Sequence, residues 1–252
     1  MSELFSPLAA PFRLDGHNGE AVVMVHGFTG VPAHWRLMAP IVHQAGFTVS
    51  VPRLAGHGTS IDHLSETFAE DWLDSVRTAI DEVSDRRRVH LIGLSMGGLL
   101  SLVLAAERQV ATVTTINTPM RYRNWQTYAA PYIHRIRPRV MWPEHDDPGL
   151  DDEAAPLWLT YDGFPTRQLG EVVRLARRAR KAASKVTVPA LVIQSKTDES
   201  VDASSALIIA DAVAGPARIV WLEASIHNSL LDRERDTIHA EVLCQVGGNP
   251  TG

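Results

Sequence analysis

Six apolar runs rich in β-branched residues recur along this chain: AVVMVHG from Ala21, FTVSVP from Phe47, VHLIGL from Val89, ATVTTIN from Ala111, PALVIQS from Pro189 and ARIVWLE from Ala217. Runs that are apolar at consecutive rather than alternate positions suit strands buried on both faces, as in a parallel sheet. Between them lie helical patterns over 33–45, 69–84, 96–108, 203–213 and 233–246. Strands that alternate with helices need crossovers, and crossovers lay helices on both faces of the sheet. The expected class is therefore α/β, with a mostly parallel, doubly wound sheet whose functional groups gather at the C-terminal ends of its strands. At 252 residues the chain can bury the core that such a sheet requires.

One segment breaks the alternation. From Thr118 to about Val186 no strand pattern is visible, and the stretch holds all four tyrosines with Trp125, Trp142 and Trp158. Placed between the fourth and fifth recognised strands, it reads as a cap over the sheet's upper edge that supplies an apolar substrate wall. The expected organisation is a core of 1–117 and 187–252 with a cap insertion over 118–186. Within it, EHDDPGLDDE (Glu144 to Glu153) lacks the ligand spacing of a calcium loop and reads as a solvated acidic loop. RLARRARKAASK from Arg174, with Val172, Val173, Leu175, Ala176, Ala179 and Ala183, reads as an amphipathic cap helix with a basic outer face. That face is expected to be solvated, with a transient membrane-surface contact as the alternative.

The net charge of −5 gives the chain no overall affinity for nucleic acid or anionic lipid. The single cysteine, Cys244, has no internal partner for a disulfide and is expected to be a small buried residue of the last helix. No stretch approaches the ~20 apolar residues of a membrane span, and MSELFSPLAAPFRL lacks the pattern of a signal peptide, so the expected compartment is the cytoplasm.

The chemistry concentrates around HLIGLSMGGLL, His90 to Leu100. Gly93-Leu94-Ser95-Met96-Gly97 fits GxSxG, preceded by a strand and followed by a helix, the setting a nucleophile elbow requires. A serine forced into so sharp a turn leaves no room for side chains two residues to either side, so Gly93 and Gly97 are read as steric necessities and Gly98 as a close-packing position. A serine hydroxyl becomes a useful nucleophile only when a neutral imidazole takes its proton and a carboxylate holds the imidazole. On such a fold the acid and then the histidine follow the serine in the chain. Of the eleven histidines only His227 and His239 follow the later strands. His239 falls within a helical pattern, whereas His227 lies on the loop ASIHNS at the strand end and is the better base. Asp198 in SKTDESVD lies nearest its strand end and is the chosen acid over Glu199 and Asp202, the last of which suits a helix cap. The amides of Met96 and of Phe28, after the strand AVVMV and His26-Gly27, are the candidate oxyanion donors. His26 is read as satisfying loop carbonyls.

Taken together, VHGFTG at 25–30, VPRLAGHGTS at 51–60, DW at 71–72, GLSMGG at 93–98, DESV at 198–201 and the histidine at 227 resemble the α/β-hydrolase serine esterases. Among these the chain is most similar to small bacterial carboxylesterases and monoacylglycerol lipases, along nearly its full length. The resemblance implies an α/β-hydrolase fold with a helical cap before the acid-bearing strand. It also implies hydrolysis of short- to medium-chain carboxylic esters, including monoacylglycerols, through an acyl-enzyme without metal or cofactor. His57 becomes a loop-shaping residue by the same likeness, and Ile226 stands where relatives often have glycine. A same-fold thioesterase or C–C bond hydrolase, and a non-catalytic ligand-binding relative, are the alternatives.

Overall fold

The computed structural model describes residues 5–142 and 149–247. Its main sheet has seven strands. A short β1 (Phe12–Leu14) leads in, and the six apolar runs become β2 (Glu20–Val25), β3 (Thr48–Val51), β4 (Arg88–Leu94), β5 (Thr112–Ile116) and, after the inserted segment, the last two strands. Within that segment β6 (Arg139–Met141) and β7 (Gly163–Pro165) pair with each other in a separate ribbon; β8 (Ala190–Ser195) and β9 (Ala217–Leu222) then complete the main sheet. The order across it is β1-β3-β2-β4-β5-β8-β9, antiparallel only between β1 and β3.

The central strands show why consecutive apolar residues were needed. Along β2, Ala21, Val23 and Val25 enter the core on one face while Val22 and Met24 enter the core on the other, and all are fully buried. The first face is covered by α3 (Ala69–Asp81), α4 (Met96–Glu107), α6 (Thr166–Ala183) and α7 (Ser204–Ala212), and the second by α1 (Met38–Gln44) and α8 (Arg235–Val246). Two short helices, α2 (Ile61–Ser65) and α5 (Ala130–Ile133), lie in connections. The pattern over 33–45 divides into a 3-10 turn at Pro32–Trp35 and then α1. The restart leaves Pro40 in the first turn of α1, where its missing N–H costs nothing.

α4 is apolar almost all round, and it is sandwiched between the sheet and α6. The expectation assigned the helix containing RLARRARK to the cap; in the structure its apolar face, with Val172, Leu175, Ala176 and Ala179, joins the core beside α4. Its small alanines let the two helices approach closely. Arg178 on the charged side reaches Glu70 (2.7 Å) and Glu107 (3.0 Å), which also bind Arg77, so α3, α4 and α6 share one ion network. A basic face read as simply solvated is thus partly paired, although such exposed ion pairs contribute little individually.

Other departures are local. β1 is too short for any period to show, β9 is an edge strand and only partly buried, and two strands occur where the insertion reads as strand-free. Cys244 is exposed rather than buried, because α8 turns Ile238, Val242 and Val246 inward and position 244 falls on the opposite side. Residues 143–148 of the acidic stretch lie outside the described residues; beyond them, Asp151 and Glu153 both pair with Arg235. No helix among the described residues is long and apolar enough to cross a membrane.

Among the described residues, the tightest approach of a glycine to backbone is where α4 starts. A Cβ on Gly97 would lie 2.1 Å from the Val25 carbonyl oxygen, and one on Gly93 would lie 2.2 Å from Gly97 backbone. These are backbone obstacles that no rotamer change can relieve. Gly97→Ala is expected to destabilise the fold by about 1–3 kcal/mol, the usual cost of overpacking, measured by thermal or urea unfolding. An unchanged midpoint would show that the crossing can widen freely.

Candidate active site

Ser95 is the last residue before α4 and has φ 54° and ψ −120°, a conformation that L side chains rarely adopt. Its N–H donates to Ile116 O on β5 (2.7 Å), and its carbonyl accepts from Gly98 N–H (2.9 Å). The bend thus aims the hydroxyl away from the sheet and up over the strand ends. A Cβ on Gly98 would collide with Thr118 Oγ1, so this glycine too marks a close contact, there with the chain leaving β5.

The side chains of Asp198 and His227 converge on that hydroxyl. His227 Nε2 lies 2.9 Å from Ser95 Oγ, and His227 Nδ1 lies 2.7 Å from Asp198 Oδ2. Asp198 is fully buried, and its other oxygen accepts the N–H groups of Ser200 and Val201, each at 2.8 Å. With the carboxylate holding the Nδ1 proton, Nε2 is left as the acceptor for the serine hydroxyl. Burial disfavours the charged imidazole, but the Asp198 carboxylate and then Glu199 outweigh it, so the His227 pKa is raised above its ordinary 6.5. The ring remains reachable, 23% exposed.

The competing residues lie elsewhere in the network. Asp202 Oδ1 accepts from Ser204 N–H (3.0 Å) and from the Ser204 hydroxyl at the start of α7, and these bonds lower its pKa. Glu199 accepts the backbone N–H of His227 (3.1 Å) and does not reach the ring. His239 is buried in α8, and its pKa is pushed down to about 4 by that burial.

Gly27 lies directly beside the serine, where a Cβ would sit 3.2 Å from Ser95 Cβ. His26 fixes the peptide that follows. Its Nδ1 donates to Gly27 O (2.9 Å), its Nε2 accepts from Leu54 N–H (3.1 Å), and Gly30 N–H also donates to Gly27 O (3.2 Å). In a trans peptide the carbonyl and the next N–H point opposite ways, so anchoring Gly27 O turns the Phe28 N–H away from that anchor. Neither this amide nor that of Met96 donates to a protein acceptor among the described residues. Burial, then the neighbouring His57, holds the His26 pKa well below 6.5, consistent with a neutral ring that donates at one nitrogen and accepts at the other. His57 is likewise buried, with its pKa at about 4; its Nδ1 bonds Ala55 O (3.0 Å) within the turn that carries Gly56 and Gly58 at positive φ.

The histidine loop is held by groups that its sequence did not advertise. Glu234 accepts the N–H groups of Glu223 (2.8 Å) and Ala224 (2.9 Å) and the Ser225 hydroxyl (2.7 Å), while Asp232 accepts the Ile226 N–H (2.7 Å). The backbone at Ile226 stays out of the left-handed region, so a glycine is not required there. Asn117 also reaches this loop. No motif marks these residues: Glu234 and Asp232 act on backbone and hydroxyl groups a few residues before them, and Asn117 from a distant strand end.

The inserted segment closes over the same edge. Tyr161 OH donates to Gly56 O (2.8 Å) and accepts from Thr59 N–H (3.0 Å), and His34 Nε2 bonds Leu159 O (3.0 Å). Aromatic rings run outward from the site, Phe28 to Phe164 (6.2 Å between centroids) and Phe164 to Trp142 (4.8 Å). No cluster of three or more His, Cys, Asp or Glu that could hold a metal occurs among the described residues.

The chain as a whole is similar to known proteins. The chain is 31% identical to a thermostable monoacylglycerol lipase of Bacillus sp. strain H-257, over 94% of this chain and 95% of that one. It is 26% identical to a carboxylesterase of Bacillus subtilis strain 168, over 92% and 94% of the two chains. A solved structure from the metagenome-derived lipolytic enzymes LipS and LipT superposes with a TM-score of 0.86 at 27% identity, covering 94% of this chain and 97% of that one. Residues 22–240 match the model of the alpha/beta hydrolase family, and the chain belongs to that family.

Proposed function

We propose that this protein is a serine hydrolase of carboxylic esters, with Ser95 as nucleophile, His227 as general base and acid, and Asp198 as the group that orients and charges the imidazole. The observation that carries the reading is the continuous hydrogen-bonded chain from Asp198 through His227 to Ser95, at 2.7 and 2.9 Å. Ser95 Oγ attacks the ester carbonyl as its proton passes to His227 Nε2. The Phe28 and Met96 amides receive the oxyanion, and the imidazolium returns the proton to the departing alcohol. Water then enters by the same route and hydrolyses the acyl-enzyme. Free amides beside an activated serine need no reorganisation when charge develops on the carbonyl oxygen, which is the economy of such a site.

The substrates are esters of short to medium acyl chains, with monoacylglycerols among them. The rings of Phe28, Phe164 and Trp142 offer an apolar wall from the reacting centre outward, and the curated relatives are named for these two activities. The cap that forms this wall is the part of the insertion before α6, since α6 itself packs within the core. A panel of p-nitrophenyl esters and monoacylglycerols graded by acyl length tests the class; a best substrate among thioesters instead would overturn it.

Ser95→Ala is expected to abolish turnover of p-nitrophenyl butyrate and labelling by a fluorophosphonate, and retained turnover would remove Ser95 from the mechanism. Asp198→Asn should lower kcat by about 10⁴, as on the triad template. A loss of that size in Asp202→Asn instead would move the acid role to Asp202.

The pH dependence has a definite sign. The base must be neutral to accept a proton, and its pKa is raised, so kcat/KM should fall as pH drops through a value above 6.5. Glu199 contributes to that rise, so Glu199→Gln should move the acid limb to lower pH; a limb at or below 6.5 in the parent would contradict the charge arrangement.

A further inference from the structure

We propose that Asn117 is a positioning residue for His227, a role that rests on the assignment of His227 as the base. Asn117 follows β5 directly, is fully buried, and adopts φ 46°. Its side-chain amide is used at both ends. Oδ1 accepts the N–H of Ser195, the last residue of the strand leading to Asp198 (2.8 Å). Nδ2 donates to the carbonyl of His227 (2.7 Å) and to Ser229 Oγ (3.2 Å). Its own backbone N–H donates to Ile193 O (2.9 Å), and the carbonyl of the preceding Ile116 accepts from Ser95 N–H (2.7 Å).

The side chain thus ties the strand leading to the acid to the main chain of the histidine, next to the residue that holds the serine turn, while it touches none of the three reacting groups. The serine turn is tied to residue 116, the acid strand to Oδ1, and the histidine main chain to Nδ2. The orientation of the amide is fixed by its neighbours, because a flip would set carbonyl against carbonyl and N–H against N–H. Asparagine fits for two separate reasons. It tolerates the left-handed backbone better than other non-glycine residues, and it alone combines a donor and an acceptor at this reach. Aspartate would lose both Nδ2 donations and set a charge against the His227 carbonyl.

The His227 main chain has one other such anchor, the bond from its N–H to Glu199, a residue at the surface. Asn117 is therefore its buried anchor. Glu234 and Asp232 hold residues 223–226 of the loop, so without Asn117 the part that loosens is His227 and the chain after it, and a small shift there takes the imidazole out of hydrogen-bond distance of Asp198 and Ser95 together. Displacing a reacting group by about 1 Å can cost around 100-fold in rate.

The test compares the parent with Asn117→Gly, which keeps the positive φ without strain but deletes the amide, and with Asn117→Ser, whose side chain is too short to reach His227 O. Both are assayed on p-nitrophenyl butyrate across pH, well below their unfolding midpoints. Expected are a fall in kcat of about 100-fold with KM within about twofold, slower fluorophosphonate labelling, and an acid limb moved to lower pH as His227 loses its close contact with Asp198, with Glu199 the other charged group facing it. Variants that melt earlier but keep the parent kcat and acid limb would reduce Asn117 to a structural role and overturn the proposal. If one variant does not fold, the other decides by the same readouts. Failure of the functional reading is distinguishable, because the parent itself would then show no Ser95-dependent turnover.

Discussion

The backbone at Ser95 is the constraint around which the rest of the structure is arranged. Holding a non-glycine residue at φ 54° costs on the order of 1–3 kcal/mol, and the fold sustains it by hydrogen bonds on both sides of the residue and by glycines wherever the turned chain meets its neighbours. From that single bend follow the direction of the hydroxyl, the start of α4 with its unpaired Met96 amide, and the close crossing of α4 against β2. The crossing in turn sets Gly27 against the serine and so puts the Phe28 peptide beside it. A residue whose backbone is held in this way has little freedom to search, which suits the nucleophile role proposed for Ser95.

Charge is distributed with equal economy of means. Among the described residues, His26, His34, His57, His90 and His239 all have pKa values lowered by burial, and His227 alone is raised. The buried rings act as neutral fixtures: His26 and His90 bond through both nitrogens, and His34 and His57 hold loop carbonyls through one. His227 differs because the Asp198 and Glu199 carboxylates outweigh its burial, whereas at His90 burial wins over Glu20, a carboxylate shared with Arg87 and Arg88. One imidazole therefore has a strengthened appetite for a proton, and it is the one that faces the serine hydroxyl.

Much of this could be read from the chain. The strands were legible because burial on both faces leaves uninterrupted apolar runs, and Ser95, Asp198 and His227 because each ends such a run in a fixed order. What could not be read depends on side chains reaching across sequence. Asn117 ends ATVTTIN without any motif around it, and Asp232 and Glu234 look like ordinary acids of a polar segment. The helix over 166–183 has a pattern that states its amphipathicity but not its partner, because its place beside α4 is set by tertiary contacts. Cys244 lies one helical position away from inward-facing Leu243, a difference finer than periodicity resolves at a helix end.

The inserted segment leaves the sheet at Thr118, pressed against Gly98, and returns at Val186, whose carbonyl accepts the N–H groups of Ala214 and Gly215 at 2.9 Å each. Both junctions are thus clamped to the core independently of what lies between them. With α6 built into the core, the replaceable part is the stretch before it: its length and lining can drift between descendants of one ancestor while the three strand ends keep their spacing. Divergence in what lies over the strand ends, on this architecture, can proceed without disturbing the strand ends themselves.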